Sequence, residues 1–175
     1  YVSVFKVLIH NIGKDGWFQQ SRMWNLIFLQ RANGSFELSQ HLATVLRAGE
    51  AQEDLMSKPV MTYYLAPLKE SIPEQLLGMC QHDDEGGVTA AEEVWATILV
   101  LQELTNLPYT WIENPKAPPH SQVTLRSRSE MFLDYQCELH PALTGMMPEL
   151  KATAVMLIDQ WEKSDLLPGV CSPAR

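Results

Sequence analysis

Thr89–Thr105, TAAEEVWATILVLQELT, is the stretch whose reading decides the fold. Thr89 followed three residues later by Glu92 is a capping-box pattern, in which each side chain satisfies the other's orphan backbone N–H and a helix begins. Trp95, Ile98 and Leu99 then form one apolar face, while Val94, Leu101 and Leu104 form another. A surface helix carries a single apolar stripe, so a helix apolar on nearly every side belongs inside a bundle. At 1.5 Å per residue it spans roughly 25 Å, the depth of a small domain. It is short for a bilayer, and Glu92, Glu93, Gln102 and Glu103 argue against a membrane span.

Working outward, Trp17, Trp24 and Phe28 fall on one helical line, with Ile27 and Arg31 beside it. That helix is expected to end at Ala32-Asn33-Gly34, since Asn and Gly tolerate the left-handed conformation of a C-cap. Ser39 is a plausible N-cap for a second helix with Leu42, Val45 and Leu46 on one face, and a short link would make the two an αα-hairpin. Glu50–Glu70 is broken by Pro59 and Pro67, and Tyr63-Tyr64-Leu65 reads equally as a short strand or a helical turn. Ser71-Ile72-Pro73-Glu74 reads as a helix start, with Ile72, Leu76, Leu77 and Cys80 as its buried side.

Beyond the central helix, Pro108, Pro115, Pro118 and Pro119 predict a long exposed loop that carries Tyr109, Trp111 and Ile112. A helix from about Ser129 to Pro141 would carry Met131, Phe132, Tyr135 and Leu139 on one side. Pro148-Glu149 opens a last helix with Leu150, Ala154, Leu157, Ile158 and Trp161 as a full apolar stripe. At the other end, Val2, Val4, Phe5, Val7 and Ile9 alternate in two short runs, as in a bulged strand or an extended arm. Gly13–Gly16 reads as a turn.

The expectation is a mainly α, single compact domain of five to six helices around a central buried helix, with an N-terminal strand or extended arm. Residues 1–16 would be that arm or an edge strand, 17–165 the helical domain and 166–175 a tail. The expected core comprises Trp24, Phe28, Leu42, Leu46, Trp95, Ile98, Leu99, Leu157, Ile158 and Trp161.

The 175 residues suffice to bury a sizeable core. The chain begins at Tyr1 rather than Met and reads as a piece of something longer, without a visible signal peptide. A net charge of −8 leaves no basic face for displacing counterions from phosphates; Arg126 and Arg128 are the only basic cluster. Direct nucleic-acid binding is therefore not expected. Cys80, Cys137 and Cys171 are odd in number and widely spaced, which suits free thiols in the cytoplasm rather than a disulfide framework.

Chemistry-bearing groupings are sparse. Cys80, His82 and Asp83 could supply metal ligands for a metal-dependent hydrolase, but their spacing matches no established site, and acidic Gly-rich loops usually serve as solvated caps. Cys137 and His140 share a helix face yet lack an orienting group and an oxyanion donor nearby. No phosphate-binding loop, nucleophile elbow or HExxH motif occurs. No catalytic, cofactor or metal residues are expected.

Two blocks carry a family resemblance. Trp24–Leu38, WNLIFLQRANGSFEL, followed by Leu42 and Leu46, resembles a pattern in the C-terminal region of vault poly(ADP-ribose) polymerases. Related proteins that combine a vault inter-α-trypsin domain with a von Willebrand A domain share it. Glu93–Gln102, EVWATILVLQ, is similar to the second hallmark of that region, and Ile158-Asp159-Gln160-Trp161 to its closing helix. The resemblance covers roughly residues 17–163 and implies a non-catalytic module that docks on the major vault protein. Such a module recruits its parent to vault ribonucleoprotein particles, while ADP-ribosyl transfer belongs to a separate domain. The implied setting is the cytoplasm, with the nucleus as a second compartment, and the domain alone would be monomeric. The proline-rich segment and the final CSPAR depart from the family and leave polymerase and von Willebrand relatives both open. The expected partner contacts are the arm (Val2, Val4, Phe5, Val7, Ile9) and the loop aromatics with their neighbour (Tyr109, Trp111, Ile112).

Overall fold

The structure is a computed structural model and describes residues 14–53, 59–80, 86–106 and 122–164. In chain order the elements are α1 (Lys14–Leu29), α2 (Gln40–Leu46), β1 (Gly49–Glu53), β2 (Pro59–Tyr63), α3 (Leu65–Glu70), α4 (Glu74–Cys80), α5 (Gly86–Asn106), α6 (Gln122–Leu139) and α7 (Pro141–Ser164). The domain is mainly α, with seven helices and one two-stranded hairpin among the described residues.

Helix α5 is the centre, as its composition requires. Val94 through Val100 are buried without a break, and Glu103 and Leu104 continue the run. Consecutive burial over about two turns means that α5 is covered on all sides. It packs against α2, α4, α6 and α7. It begins at Gly86, not at Thr89, so the Thr89–Glu92 pair does not mark its N-terminus. The first turn of a helix makes no intrahelical N–H bonds, which is where low-propensity glycines cost least.

Helix boundaries differ elsewhere for related reasons. Helix α1 starts at Lys14, inside the expected turn, and ends at Leu29 rather than at Asn33. Gln30 to Ser39 then form a link longer than the two to five residues of a tight αα-hairpin, and it buries Ser35, Phe36 and Leu38. Ser39 does cap α2, its Oγ accepting from the Leu42 N–H at 3.2 Å. That helix closes in a Schellman arrangement: the Ala48 and Arg47 amides donate to the Ala43 and Thr44 carbonyls, with Arg47 at φ 55°.

Segment 49–70 resolves into both alternatives. Strands β1 and β2 pair antiparallel from Gly49↔Tyr63 to Glu53↔Pro59, and α3 follows from Leu65. Gly49 is required here, because a Cβ would lie 2.3 Å from the Thr62 carbonyl oxygen. Ser71 is not the N-cap of α4. It closes α3, donating from Oγ to the Leu68 carbonyl at 2.7 Å and accepting from the Trp95 indole N–H at 2.8 Å.

Helix α6 starts at Gln122 rather than Ser129, and α7 starts at Pro141, which supplies a first-turn proline. Pro148, expected to open the last helix, lies within α7. A mid-helix proline removes one hydrogen bond and crowds the preceding turn. Leu143 and Leu150, both buried, pack α7 to the core on either side of it. Leu150, Ala154, Ile158 and Trp161 are buried as the stripe requires, and Leu157 is partly buried against the same core.

Of the expected core, Leu42, Leu46, Trp95, Ile98, Leu99, Ile158 and Trp161 are buried. Trp24 and Phe28 are not: they are 41% and 81% exposed, and α1 is anchored instead by Leu26. Helix α6 splits the side on which Met131, Phe132, Tyr135 and Leu139 were expected together. Leu125, Ser129, Phe132 and Leu133 face inward, leaving Met131, Tyr135 and Leu139 outside.

Candidate interaction surface

The frame for the surface is a polar clasp between the α1–α2 link and the two helices behind it. Gly34 takes φ +92°, and a Cβ there would meet the Arg128 carbonyl oxygen of α6 at 2.2 Å. Only glycine permits so close an approach. The contact is fastened by Ser129 Oγ donating to the Gly34 carbonyl at 3.1 Å and by Gln30 Nε2 donating to the Leu125 carbonyl at 2.9 Å. From α6, Arg128 donates to the Arg31 and Ala32 carbonyls at 3.2 and 2.8 Å. Asn33 Oδ1 accepts from the Ser35 amide and hydroxyl, setting the turn, and the Phe36 amide donates to Thr97 Oγ1 of α5. Arg31 bridges Glu37 and Glu93, and these bonds, first of all that with Glu37, hold its guanidinium pKa above the ordinary value.

Beneath the clasp, Arg22 of α1 meets Glu103 of α5 at 2.5 Å in a setting where Glu103 is 1% exposed. Neither Glu103 oxygen has an aligned hydrogen-bond donor among the described residues, and Arg22 Nη2 is likewise unbonded. Burial pushes the Glu103 carboxyl above the ordinary glutamate range; the charges of Arg22 and Arg47 oppose the shift, while Glu162 adds to it.

Two apolar groups stand outside this frame. On α1, the Trp24 and Phe28 rings lie 6.3 Å apart, tilted by 32°. On α6, Met131, Tyr135 and Leu139 recur every four residues and are 69%, 56% and 53% exposed. Exposed large apolar side chains grouped at helical spacing mark interaction sites more often than isolated ones do. A groove of about 410 Å³ opens between α5, α6 and α7, with Leu101 and Met147 among its apolar lining and Arg126, Asp134, Cys137 and Lys151 among its polar lining. Its charges are of both signs, and Arg126 is engaged with Thr105 at 3.3 Å and Glu130 at 3.9 Å.

The sequence-predicted contacts Val2, Val4, Phe5, Val7, Ile9, Tyr109, Trp111 and Ile112 lie outside the described residues. So do His82 and Asp83; Cys80 ends α4, with its side chain not described. Among the described residues no group of three His, Cys, Asp or Glu could hold a metal ion. None of their helices is long and apolar enough to cross a membrane. The exposed α1 and α6 residues were legible only as apolar spacing, which assigned Trp24 and Phe28 to the core.

These features define a helical domain with a buried central helix and apolar side chains displayed on α1 and α6, with Val155 and Met156 exposed on α7. No family model, curated protein or solved structure matches the chain.

Proposed function

We propose that this chain is a non-catalytic protein-interaction module and that its partner is the major vault protein, to which it would recruit the protein that carries it. One observation supports the interaction role above others. Phe28, Met131, Tyr135 and Leu139 are more than half exposed, and Trp24 is 41% exposed, on a domain that has ample buried apolar positions. The choice of partner draws on the sequence resemblance of the Trp24–Leu38 and Glu93–Gln102 blocks. The module would act in the cytoplasm, with the nucleus as a second compartment, and would need no cofactor.

Sedimentation of vault shells with the purified domain tests the partner. Co-sedimentation at micromolar concentration that drops when Trp24 and Phe28 are replaced by serine supports the reading. Absence of the domain from the pellet refutes it. A hydrolase using Cys80, His82 and Asp83 is the rival, and stoichiometric zinc surviving dialysis would favour it over the module.

A further inference from the structure

Helix α6 carries two rows of exposed residues, the second bordering the groove shared with α5 and α7, where Lys151 also lies. Met131, Tyr135 and Leu139 form the apolar row described above. Glu130, Asp134 and Glu138 form a second row at the same four-residue spacing, and each is exposed. Residues four apart stack along one helix side, and Met131–Asp134 and Tyr135–Glu138 are each three apart, so the two rows are neighbours across the helix surface. Glu130 has only a 3.9 Å contact to Arg126 within its own helix, and Asp134 and Glu138 have no ion pair among the described residues.

We infer that this double row seats a basic amphipathic helix belonging to a protein partner, the occupant's apolar side chains covering Met131, Tyr135 and Leu139 while its lysines or arginines face the carboxylates. The inference rests on the interaction-module reading and names the chemistry of the occupant. Three considerations select it. An anionic membrane surface or a nucleic acid would be repelled by the acidic row. A second copy of the chain, docking α6 antiparallel on α6 about a two-fold axis, would bring two acidic rows together along one edge. A basic segment from the same chain is disfavoured by its composition: the sole basic cluster, Arg126 and Arg128, sits on α6 itself, where Arg128 is spent on the Arg31 and Ala32 carbonyls. Met131 to Leu139 covers about 12 Å of axis, so the occupant needs roughly three turns with apolar residues at helical spacing. Methionine and tyrosine suit such a contact, the one adapting its shape and the other keeping a polar tip.

The probe is a fluorescent Leu/Lys amphipathic peptide of about four turns, read by anisotropy at low and physiological salt. Its Leu/Glu counterpart is the charge control. The wild-type domain should bind the Leu/Lys peptide at least about tenfold more tightly than either E130Q/D134N/E138Q or M131S/Y135S/L139S does, and more weakly as salt rises. E70Q/E74Q/D159N removes the same number of exposed charges elsewhere and should bind as wild type. Equal weakening by that control, unchanged binding by either row variant, or equal binding of the Leu/Glu peptide overturns the inference. Every substituted side chain is exposed, and near-wild-type melting of the variants verifies that folding is not what changed. Vault sedimentation of the same variants keeps the two readings apart. Row variants that still pellet with vaults remove α6 as the vault-binding face and leave the vault reading standing. A wild-type domain that binds Leu/Lys but stays in the supernatant removes the vault partner and leaves the α6 seat.

Discussion

Replacing Gly34 by alanine tests whether the clasp between the α1–α2 link and α6 holds the fold together. The added Cβ would sit 2.2 Å from the Arg128 carbonyl oxygen and 2.7 Å from its carbon, both backbone atoms that cannot swing aside. A tolerable contact requires the link to retreat by about 1 Å or more. At φ +92° the new side chain also meets the left-handed penalty, about 1–2 kcal/mol for an L residue. Retreat stretches the Ser129–Gly34 and Gln30–Leu125 hydrogen bonds, now 3.1 and 2.9 Å, and losing two such bonds adds about 1–3 kcal/mol. The expected cost is therefore about 2–5 kcal/mol. Urea denaturation followed by tryptophan fluorescence reads it as a lowered midpoint with an unchanged slope. Gly78→Ala and Gly145→Ala are the controls. Both glycines lie within helices, α4 and α7, and a Cβ at either meets nothing within 4 Å. Each control should gain about 0.5–1 kcal/mol from helix propensity. If Gly34→Ala loses less than about 1 kcal/mol, or gains as the controls do, the close approach of link and helix is wrong.

Other substitutions probe the core and the outer helices. Trp95→Ala should cost about 3–5 kcal/mol, because it empties a fully buried aromatic site on α5. Trp95→Phe should retain most of that packing and lose chiefly the 2.8 Å bond to Ser71, about 1 kcal/mol; urea midpoints separate the two. Arg22→Ala strands Glu103 without its partner and should cost about 3–5 kcal/mol, whereas R22M/E103L should unfold at or above the wild-type midpoint. Glu103 also fixes the sign of a pH dependence. Its folded pKa lies above the unfolded value, so the folded state holds the proton more tightly. Its contribution to stability is fully present below about pH 4.3, the ordinary glutamate value, and declines as pH rises through the raised folded value. Wild-type stability minus that of Glu103→Gln should therefore fall with rising pH, and a flat or rising difference in urea titrations contradicts it. Replacing Phe28, 81% exposed, by serine should change stability by no more than about 0.5 kcal/mol, whereas replacing Trp24, only 41% exposed, should cost about 1–2 kcal/mol.

How much of this could be read from sequence depends on whether the signal was local. The centrality of α5 was legible because apolar residues recur on all its sides, and no partner had to be known to see it. The α7 stripe from Leu150 to Trp161 was legible for the same reason, from its periodicity. Helix ends were misplaced at Thr89, Ser129 and Pro148 because capping residues and proline also fit the interior of an early turn or a well-packed helix. Helix α6 shows the deeper difficulty. It has apolar residues on two sides, and its buried side includes Ser129, whose hydroxyl is satisfied by the Gly34 carbonyl from a distant part of the chain. A polar residue with a distant partner looks like a surface residue until that partner is known. The pairing of Gly49–Glu53 with Pro59–Tyr63 was hidden similarly, since the strands open on Gly49 and Pro59, both poor strand signals.

The Trp24–Leu38 block, one of the two on which the vault resemblance rests, divides into two kinds of residue once its burial is known. Leu26, Ser35, Phe36 and Leu38 are buried, and Gln30, Arg31, Asn33 and Gly34 build the clasp. Trp24 and Phe28 stand exposed in the same block. A similarity carried by the first set reports how the link must pack on α5 and α6, and any protein with this fold would need it whatever it binds. A similarity at Phe28, 81% exposed, has no such explanation, and one at Trp24, 41% exposed, has it only in part. The Glu93–Gln102 block adds no information about a partner, since Val94 through Val100 are buried in the core. A test of the proposed partner therefore narrows to a few exposed side chains. Serine substitutions at Trp24 and Phe28, which spare the clasp, separate these two kinds of resemblance where substitutions at Gly34 or Trp95 would merge them.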